Sequence, residues 1–462
     1  MFKAEVYSNR RNKLRNELKS GIALFVGNVD AAFNYPANIY HFRQDSHFLY
    51  FFGINKPGFA GVVDFESGED MLFGNDVDID DIIWTGPLPT VKELGANAGL
   101  EKTAPMAELY NVVEKALNQG RKVHFLPPYR AETVLTLCDL LGLKHGAVKS
   151  YISTDLIKAV VKLKSIKEDI EIVEIEKAVD TAYLMHTTAM KMAKPGVYER
   201  EIAGAIEGIS LANGGPVSFP IILSVNGQTL HNHYHGNELT LGRMMVTDAG
   251  AETENCYTSD ITRTVPVGGK FNSRQKDIYQ IVLEANLKSI EAIRPGIEYR
   301  ECHMIAAKTL ANGLKDLGLM KGNVEEAVQK GAHALFQPHG LGHMMGMDVH
   351  DMEGLGEDFV GYDEHTKRSS IFGTAFLRMG RKLEPGFVLT DEPGCYFIPE
   401  LIEKWKNEKM HTDFINYNKV EEYLDFGGIR IEDDILVTET GHRVLGKPIP
   451  KTVEEVEATM AE

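Results

Sequence analysis

MMVTDAGAETENCYTSDITRTVPV, residues 244 to 267, reads as two β-strands joined by a short turn. An apolar run ends at Asp248, glycine follows at position 250, and a second β-rich run carries Asp260. Strands joined this way pair antiparallel, and the two aspartates can then face each other across the pair. Carboxylates brought together away from water repel strongly unless a cation lies between them. The plainer alternative is a pair of strand-end aspartates serving turns.

Two more carboxylates have a similar setting. Glu392 follows an apolar strand in FVLTDEPG, and Glu432 lies within a strand in GGIRIEDD. Alternation puts Arg430 and Glu432 on one face, with Ile429 and Ile431 on the other. If the polar face points inward, Glu432 needs a partner, since a lone buried carboxylate is very costly. An exposed strand face beside Asp433 and Asp434 is the competing reading.

Histidines cluster in two places. PHGLGHMMGMDVHD, residues 338 to 351, holds His339, His343 and His350. His339 and His343 are four apart, as in helical zinc motifs, but Gly-Leu-Gly between them has poor helix propensity and supplies no glutamate. The glycines at 340, 342 and 346 do not match a dinucleotide fingerprint either. In TLHNHYHGN, His231, His233 and His235 alternate and would share one side of a strand. That run could chelate a metal by itself, which gives a second hypothesis of a metal hydrolase centred on residues 231–235.

The chain has 462 residues, so two domains are expected. With 43% hydrophobic and 25% charged residues, it falls among soluble globular enzymes. A net charge of −17 argues against a nucleic-acid partner, which would need a basic face. The N-terminal MFKAEVYSNRRNKLRNELK lacks the apolar core of a signal peptide, and no apolar run suggests a membrane span. Cys138, Cys256, Cys302 and Cys395 are scattered, as expected of reduced thiols in a cytoplasmic protein.

The first third mixes strands (GIALFVG, KVHFLPP), a hairpin turning at Ser67-Gly68, and helices ending at glycine, which predicts an α/β domain over residues 1–162. From there, KLKSIKEDIEIVEIEKAVDTAYLMHTTAMKMAKPG predicts one long amphipathic helix with Ile172, Ile175, Val179, Ala182 and Met185 on a face. Further helices are expected at 199–212, 273–293 and 299–317, and strands fill 219–267 and the last part of the chain. This order predicts an α+β domain over 163–462 with a mostly antiparallel sheet. Residues 353–382 have weak periodicity and read as a surface excursion.

Taken in order, DAG at 248, DITRT at 260, HGLGHMMGMDVHD at 339, LEPGFVLTDEPG ending at 394 and GGIRIEDD ending at 434 resemble the motifs of Xaa-Pro metallopeptidases. These are the aminopeptidase P and prolidase family, of the creatinase/methionine-aminopeptidase "pita-bread" fold. FRQDSHFLYFFGINKPG at 42–58 resembles the family's N-terminal accessory domain, so the likeness spans nearly the whole chain.

The resemblance implies a catalytic pita-bread domain whose metal ligands are Asp248, Asp260, His343, Glu392 and Glu432. It implies two divalent metal ions per chain, manganese first with zinc or cobalt as alternatives, and hydrolysis through a metal-activated hydroxide. Four carboxylates and one imidazole form a mainly hard site suited to manganese. Glu392 also handles the nucleophile's proton, and His231, His339 and His350 bind substrate and stabilise the tetrahedral intermediate. His231 stands 17 residues before Asp248, the family spacing, although Asn232 follows it where a tyrosine is common.

Arg378 matches an arginine that binds the substrate's C-terminal carboxylate in eukaryotic-type prolidases, a task suited to a bidentate guanidinium. It tilts the reading toward a dipeptidase, with the aminopeptidase close behind. The implied partners are small peptides with proline at the second position, together with further copies of the chain in a dimer or tetramer. A metal-free binding relative of the fold stands as the non-enzyme alternative.

Overall fold

The computed structural model describes all 462 residues, and the chain divides into two compact units, Met1–Lys164 and Ser165–Glu462. The first unit is built on a five-stranded mixed sheet. Its strands are β1 (Ile22–Val26), β2 (Ala60–Asp64), β3 (Asp70–Phe73), β4 (Lys102–Ala104) and β5 (Val123–His124), in the order β4-β3-β2-β1-β5. β2 and β3 form the hairpin expected at Ser67-Gly68, where Gly68 takes φ 75°. Ile22, Leu24, Val62 and Phe73 of the sheet pack with Leu109, Val113 and Leu137 of the helices Glu108–Asn118 and Ala131–Leu141.

The second unit carries the site. Its strands are β6 (Ile222–Ser224), β7 (Met244–Asp248), β8 (Thr262–Pro266), β9 (Val388–Asp391), β10 (Gly394–Tyr396), β11 (Gly428–Arg430), β12 (Asp433–Val437) and β13 (His442–Val444). Every pairing among them is antiparallel: β6-β7-β8, β9-β12-β13 and β10-β11. β11 lies beside β8 through Thr264, whose hydroxyl donates to Arg430 O and accepts from Arg430 N–H.

The longest helices of this unit pack in two pairs: α1 (Asp169–Met192) with α2 (Glu199–Ala212), and α3 (Ser273–Ala292) with α4 (Tyr299–Asp316). The face predicted for α1 is buried, at Ile172, Ile175, Val179, Ala182 and Met185. The helix starts later than its periodicity suggests. The preceding helix stops at Ser165, and α1 begins after a capping box in which Glu168 and Glu171 satisfy each other's backbone donors. Residues 353–382 hold only short helical turns, as weak periodicity predicts.

The helices also fix the strands that end at the site. Ser289 of α3 donates to Asp391 Oδ1 at 2.8 Å, and Tyr299 of α4 donates to Thr390 O. His186 of α1 donates from Nε2 to Ala249 O at 2.9 Å, holding the turn just after Asp248.

Candidate metal centre and active site

Register decides where the first two carboxylates meet. Asp248 is paired directly with Thr262, not with Asp260. Asp260 precedes β8 by two residues, so the aspartates are diagonal neighbours on one face and do not oppose each other. Both are buried, and the Oδ1 of each has no hydrogen-bond partner. Gly250 lets the turn close, because a Cβ there would lie 1.7 Å from Ser259 O.

His343 sits in an extended segment laid along β9. Met345 N–H donates to Val388 O, Thr390 N–H to His343 O, and Glu392 N–H to Leu341 O. The same ladder delivers Glu392 beside the histidine. Gly342 is required by this closeness, since a Cβ there would stand 2.1 Å from Thr390 O.

Glu432 departs from its predicted setting. The strand breaks after Arg430 and resumes at Asp433, which leaves Glu432 in the interruption. Its Oε2 accepts from Thr262 Oγ1 at 2.6 Å. The exposed-face reading fails, because Arg430, Glu432, Asp433 and Asp434 are all buried. Asp434 Oδ2 accepts the N–H of Asp260 at 3.0 Å, and Asp433 faces away toward Arg263 and Lys451.

These ends converge. Ligand atoms of Asp260, His343 and Glu432 lie within 4.8 Å of one another. His343 Nε2 is 3.4 Å from Asp260 Oδ2 and 3.9 Å from Glu392 Oε1. Asp248 borders the group and pairs with Arg430. The His343 tautomer follows from its other nitrogen: Nδ1 is 3.1 Å from Met344 O and must donate, so Nε2 presents a lone pair to two carboxylates. Burial pushes this imidazole down to about 4, so it is neutral.

The protein's own groups do not neutralise this arrangement. Burial raises the Asp260 and Glu432 carboxyls well above their ordinary values, and neighbouring carboxylates add to it. Glu392 rises to about 8 through burial, against the pull of Arg430. A neutral imidazole lone pair aimed at crowded carboxylates, with the Oδ1 of Asp248 and of Asp260 left unpartnered, is the donor set a divalent cation satisfies. The residues present fit a metal.

The cluster opens into a cavity of about 460 Å³. Asp248, Asp260, His343, Glu392 and Glu432 line it, as do His231, His339, His350 and Arg378, with Phe219, Ile222, Leu230 and Phe376 as apolar wall. His339 donates from Nδ1 to Gly340 O at 2.8 Å, so its Nε2 accepts from the Tyr396 hydroxyl at 3.0 Å. That hydroxyl in turn accepts from Arg430 at 2.9 Å. Burial, with Arg430 adding to it, takes His339 down to about 3. The ring of His350 lies 4.1 Å from that of His343, and its Nδ1 pairs with Glu353. Glu353 is held at about 2, mainly by the hydrogen bond from His350.

The HxHxH run does not form a strand or a metal cluster. His231 and His233 both line the cavity, His231 from a turn, and His233 and His235 approach the backbone oxygens of Ile221 and Leu223 at 3.4 and 3.0 Å. Neither belongs to the carboxylate–imidazole group, so a hydrolase centred on 231–235 has no structural basis. Tyr396, Thr262, Glu353 and Glu357 are cavity or bridging residues that sequence reasoning missed. Only Arg430 carried a signal, through its two-residue spacing from Glu432.

Antiparallel sheets whose strand ends gather four carboxylates and an imidazole define a metal-dependent hydrolase. Residues 173–439 match the model of metallopeptidase family M24, and residues 7–124 match the aminopeptidase P N-terminal domain. The chain belongs to metallopeptidase family M24.

It is 31% identical to the Xaa-Pro dipeptidase of Homo sapiens over 433 residues, covering 91% of this chain and 84% of that one. A probable Xaa-Pro aminopeptidase of Aspergillus clavatus is 33% identical over 432 residues, covering 91% and 88%. Among solved structures, the low-pH form of Escherichia coli aminopeptidase P superposes with a TM-score of 0.82 at 29% identity, covering 100% of this chain and 99% of that one. The fold is therefore the pita-bread fold preceded by the accessory domain.

Proposed function

We propose that the protein is a two-metal exopeptidase that hydrolyses Xaa-Pro bonds in dipeptides or at the N-termini of short peptides. One observation carries this reading: the lone pair of His343 Nε2 is aimed at Asp260 and Glu392, with no protein cation between them. Asp248, Asp260, His343, Glu392 and Glu432 would hold the ions. Their hard oxygen donors favour manganese, with zinc or cobalt able to substitute. Such ions lower the pKa of water and polarise the scissile carbonyl.

The chain's own groups do the rest. Glu392 takes up the nucleophile's proton at its carboxylate and returns it to the departing proline nitrogen. His231, His339 and His350 are uncharged under burial and act as orienting and hydrogen-bonding groups for the substrate and its developing oxyanion. The apolar wall of Phe219, Ile222 and Phe376 accommodates the proline ring.

Arg378 favours the dipeptidase over the aminopeptidase. Its Nε lies 3.4 Å from Glu353 and from Glu357, which leaves the terminal amino groups for a substrate carboxylate. Comparing Ala-Pro with Ala-Pro-Ala, before and after chelation, tests this directly. The expected result is metal-dependent cleavage that prefers Ala-Pro, with Arg378→Ala raising KM for Ala-Pro. Efficient cleavage of the tripeptide would assign the protein as an aminopeptidase instead.

Four buried free cysteines suit the cytoplasm, a reducing compartment. No helix is long and apolar enough to cross a membrane. A homodimer or homotetramer is the assembly expected, and light scattering measures it.

A further inference from the structure

The turn that follows His350 brings back a carboxylate that neither metal binding nor proton transfer uses. His350, Asp351, Met352 and Glu353 form a tight turn, closed by Glu353 N–H donating to His350 O at 3.1 Å. Met352 takes φ 65°, a left-handed conformation that non-glycine residues adopt at a cost in strain and that persists only where the surroundings enforce it. Asp351 supplies such enforcement through a fully buried pair with Lys167 Nζ at 2.9 Å.

This turn folds the Glu353 side chain back over the site. Its Oε2 pairs with His350 Nδ1, and the same oxygen lies 3.4 Å from Arg378 Nε. Both Oε2 and Nε are shielded from solvent although the two side chains are only half-buried, and neither atom meets a partner at hydrogen-bond geometry, so these contacts are close ion pairs. One oxygen therefore joins an imidazole and a guanidinium that line the same cavity.

We propose that Glu353 is a positioning residue that couples His350 to Arg378. By pairing with Nδ1 it favours the proton there, sets the His350 tautomer and ring orientation, and leaves Nε2 for the cavity. By pairing with the guanidinium at Nε, which Glu357 also approaches at 3.4 Å, it turns the terminal amino groups toward the substrate. What His350 and Arg378 do for a substrate rests on the Xaa-Pro exopeptidase reading, whereas how they are held does not.

Two variants and two readouts test the proposal. Glu353→Gln keeps an oxygen acceptor for Nδ1–H, and Glu353→Ala removes it. In zinc-loaded protein labelled with 15N-histidine, long-range 1H–15N spectra should give His350 as the Nδ1–H tautomer in the parent and E353Q, but not in E353A. His339 and His343, whose Nδ1 groups donate to backbone oxygens, serve as internal references for an intact fold.

With Ala-Pro as substrate, kcat should fall about 10- to 100-fold in E353A, as for loss of an orienting partner, and largely recover in E353Q. KM should also rise in E353A through Arg378. Glu364→Gln, at an exposed position of the same excursion, should change neither constant. A His350 tautomer unchanged in E353A, or an E353Q enzyme as impaired as E353A, would overturn the proposal. A parent protein inactive on Ala-Pro would instead sink the exopeptidase reading, with the spectra still deciding the role of Glu353.

Discussion

Arg263 shows how much of the site depends on a residue that never touches it. The side chain is fully buried and donates to Thr262 O, Glu432 O, Ile449 O and Pro450 O as well as to Asp433 Oδ1 at 2.6 Å. It thus ties the backbone of Glu432, one of the proposed ligands, to the strand that follows Asp260. Arg263→Ala should destabilise the protein by about 3 to 5 kcal/mol, because it strands a buried carboxylate and several carbonyls. Denaturant titration measures this, and a loss below about 1 kcal/mol would contradict it.

The Asp433 partner adds a dependence on pH. Burial would raise its carboxyl, but Arg263 and Lys451 outweigh burial and hold it well below the ordinary 3.8. A depressed carboxyl contributes stability that is complete above its unfolded value and declines as pH falls through the folded one. The parent protein should therefore lose stability below about pH 4 more steeply than Asp433→Asn, as read from acid unfolding followed by circular dichroism.

Among the elements, the segments that carry Asp260, Glu392 and Glu432 bear an electrostatic load that the fold alone does not relieve. Asp260, Glu392 and Glu432 all have raised carboxyls, so the folded state takes up protons that the unfolded chain has released. The sign follows: in chelator, stability is greatest at low pH and falls as pH rises from the unfolded values through the folded ones. Divalent cations take the place of those protons. The gain in Tm on adding manganese to chelated protein should accordingly be larger at about pH 8 than at about pH 5.5. An equal gain at both would argue against ions at these carboxylates.

Asp248 and Glu392 were legible in sequence because each stops an apolar run next to a glycine or proline turn, whereas Asp260 and Glu432 showed only as carboxylates bordering β-rich runs. The pairing register was not legible. Whether Asp248 faces Asp260 or Thr262 depends on how the turn at 249–259 closes, and that turn is set by Gly250 against Ser259 and by His186 from a distant helix. The break at Glu432 was equally hidden, since Ile-Arg-Ile-Glu alternates like a continuous strand. HNHYH misled for the opposite reason: alternation without pairing partners makes a loop whose imidazoles rest on backbone oxygens. Tyr396 and Glu353 reach the cavity's histidines, His339 and His350, through tertiary approach and a left-handed turn, neither of which leaves a periodic trace.

At the scale of the whole molecule, two compact units match two family domains, and the ligand-bearing elements all lie in the second. The cavity, the metal-ready cluster and the excursion with Arg378 belong to that unit, so its sheets and helices act as one scaffold for a site drawn from some two hundred residues of chain (about the span of a domain). The central claim is that five side chains hold two metal ions for Xaa-Pro hydrolysis. Metal stoichiometry by mass spectrometry on manganese-reconstituted protein, with Ala-Pro hydrolysis followed on the same samples, tests it most directly. The account predicts two ions per chain in the parent and in His233→Ala/His235→Ala, with metal and activity both lost in Asp260→Ala and Glu432→Ala. Retention of both ions and activity in Asp260→Ala, or loss of the ions in the double histidine variant, would contradict it.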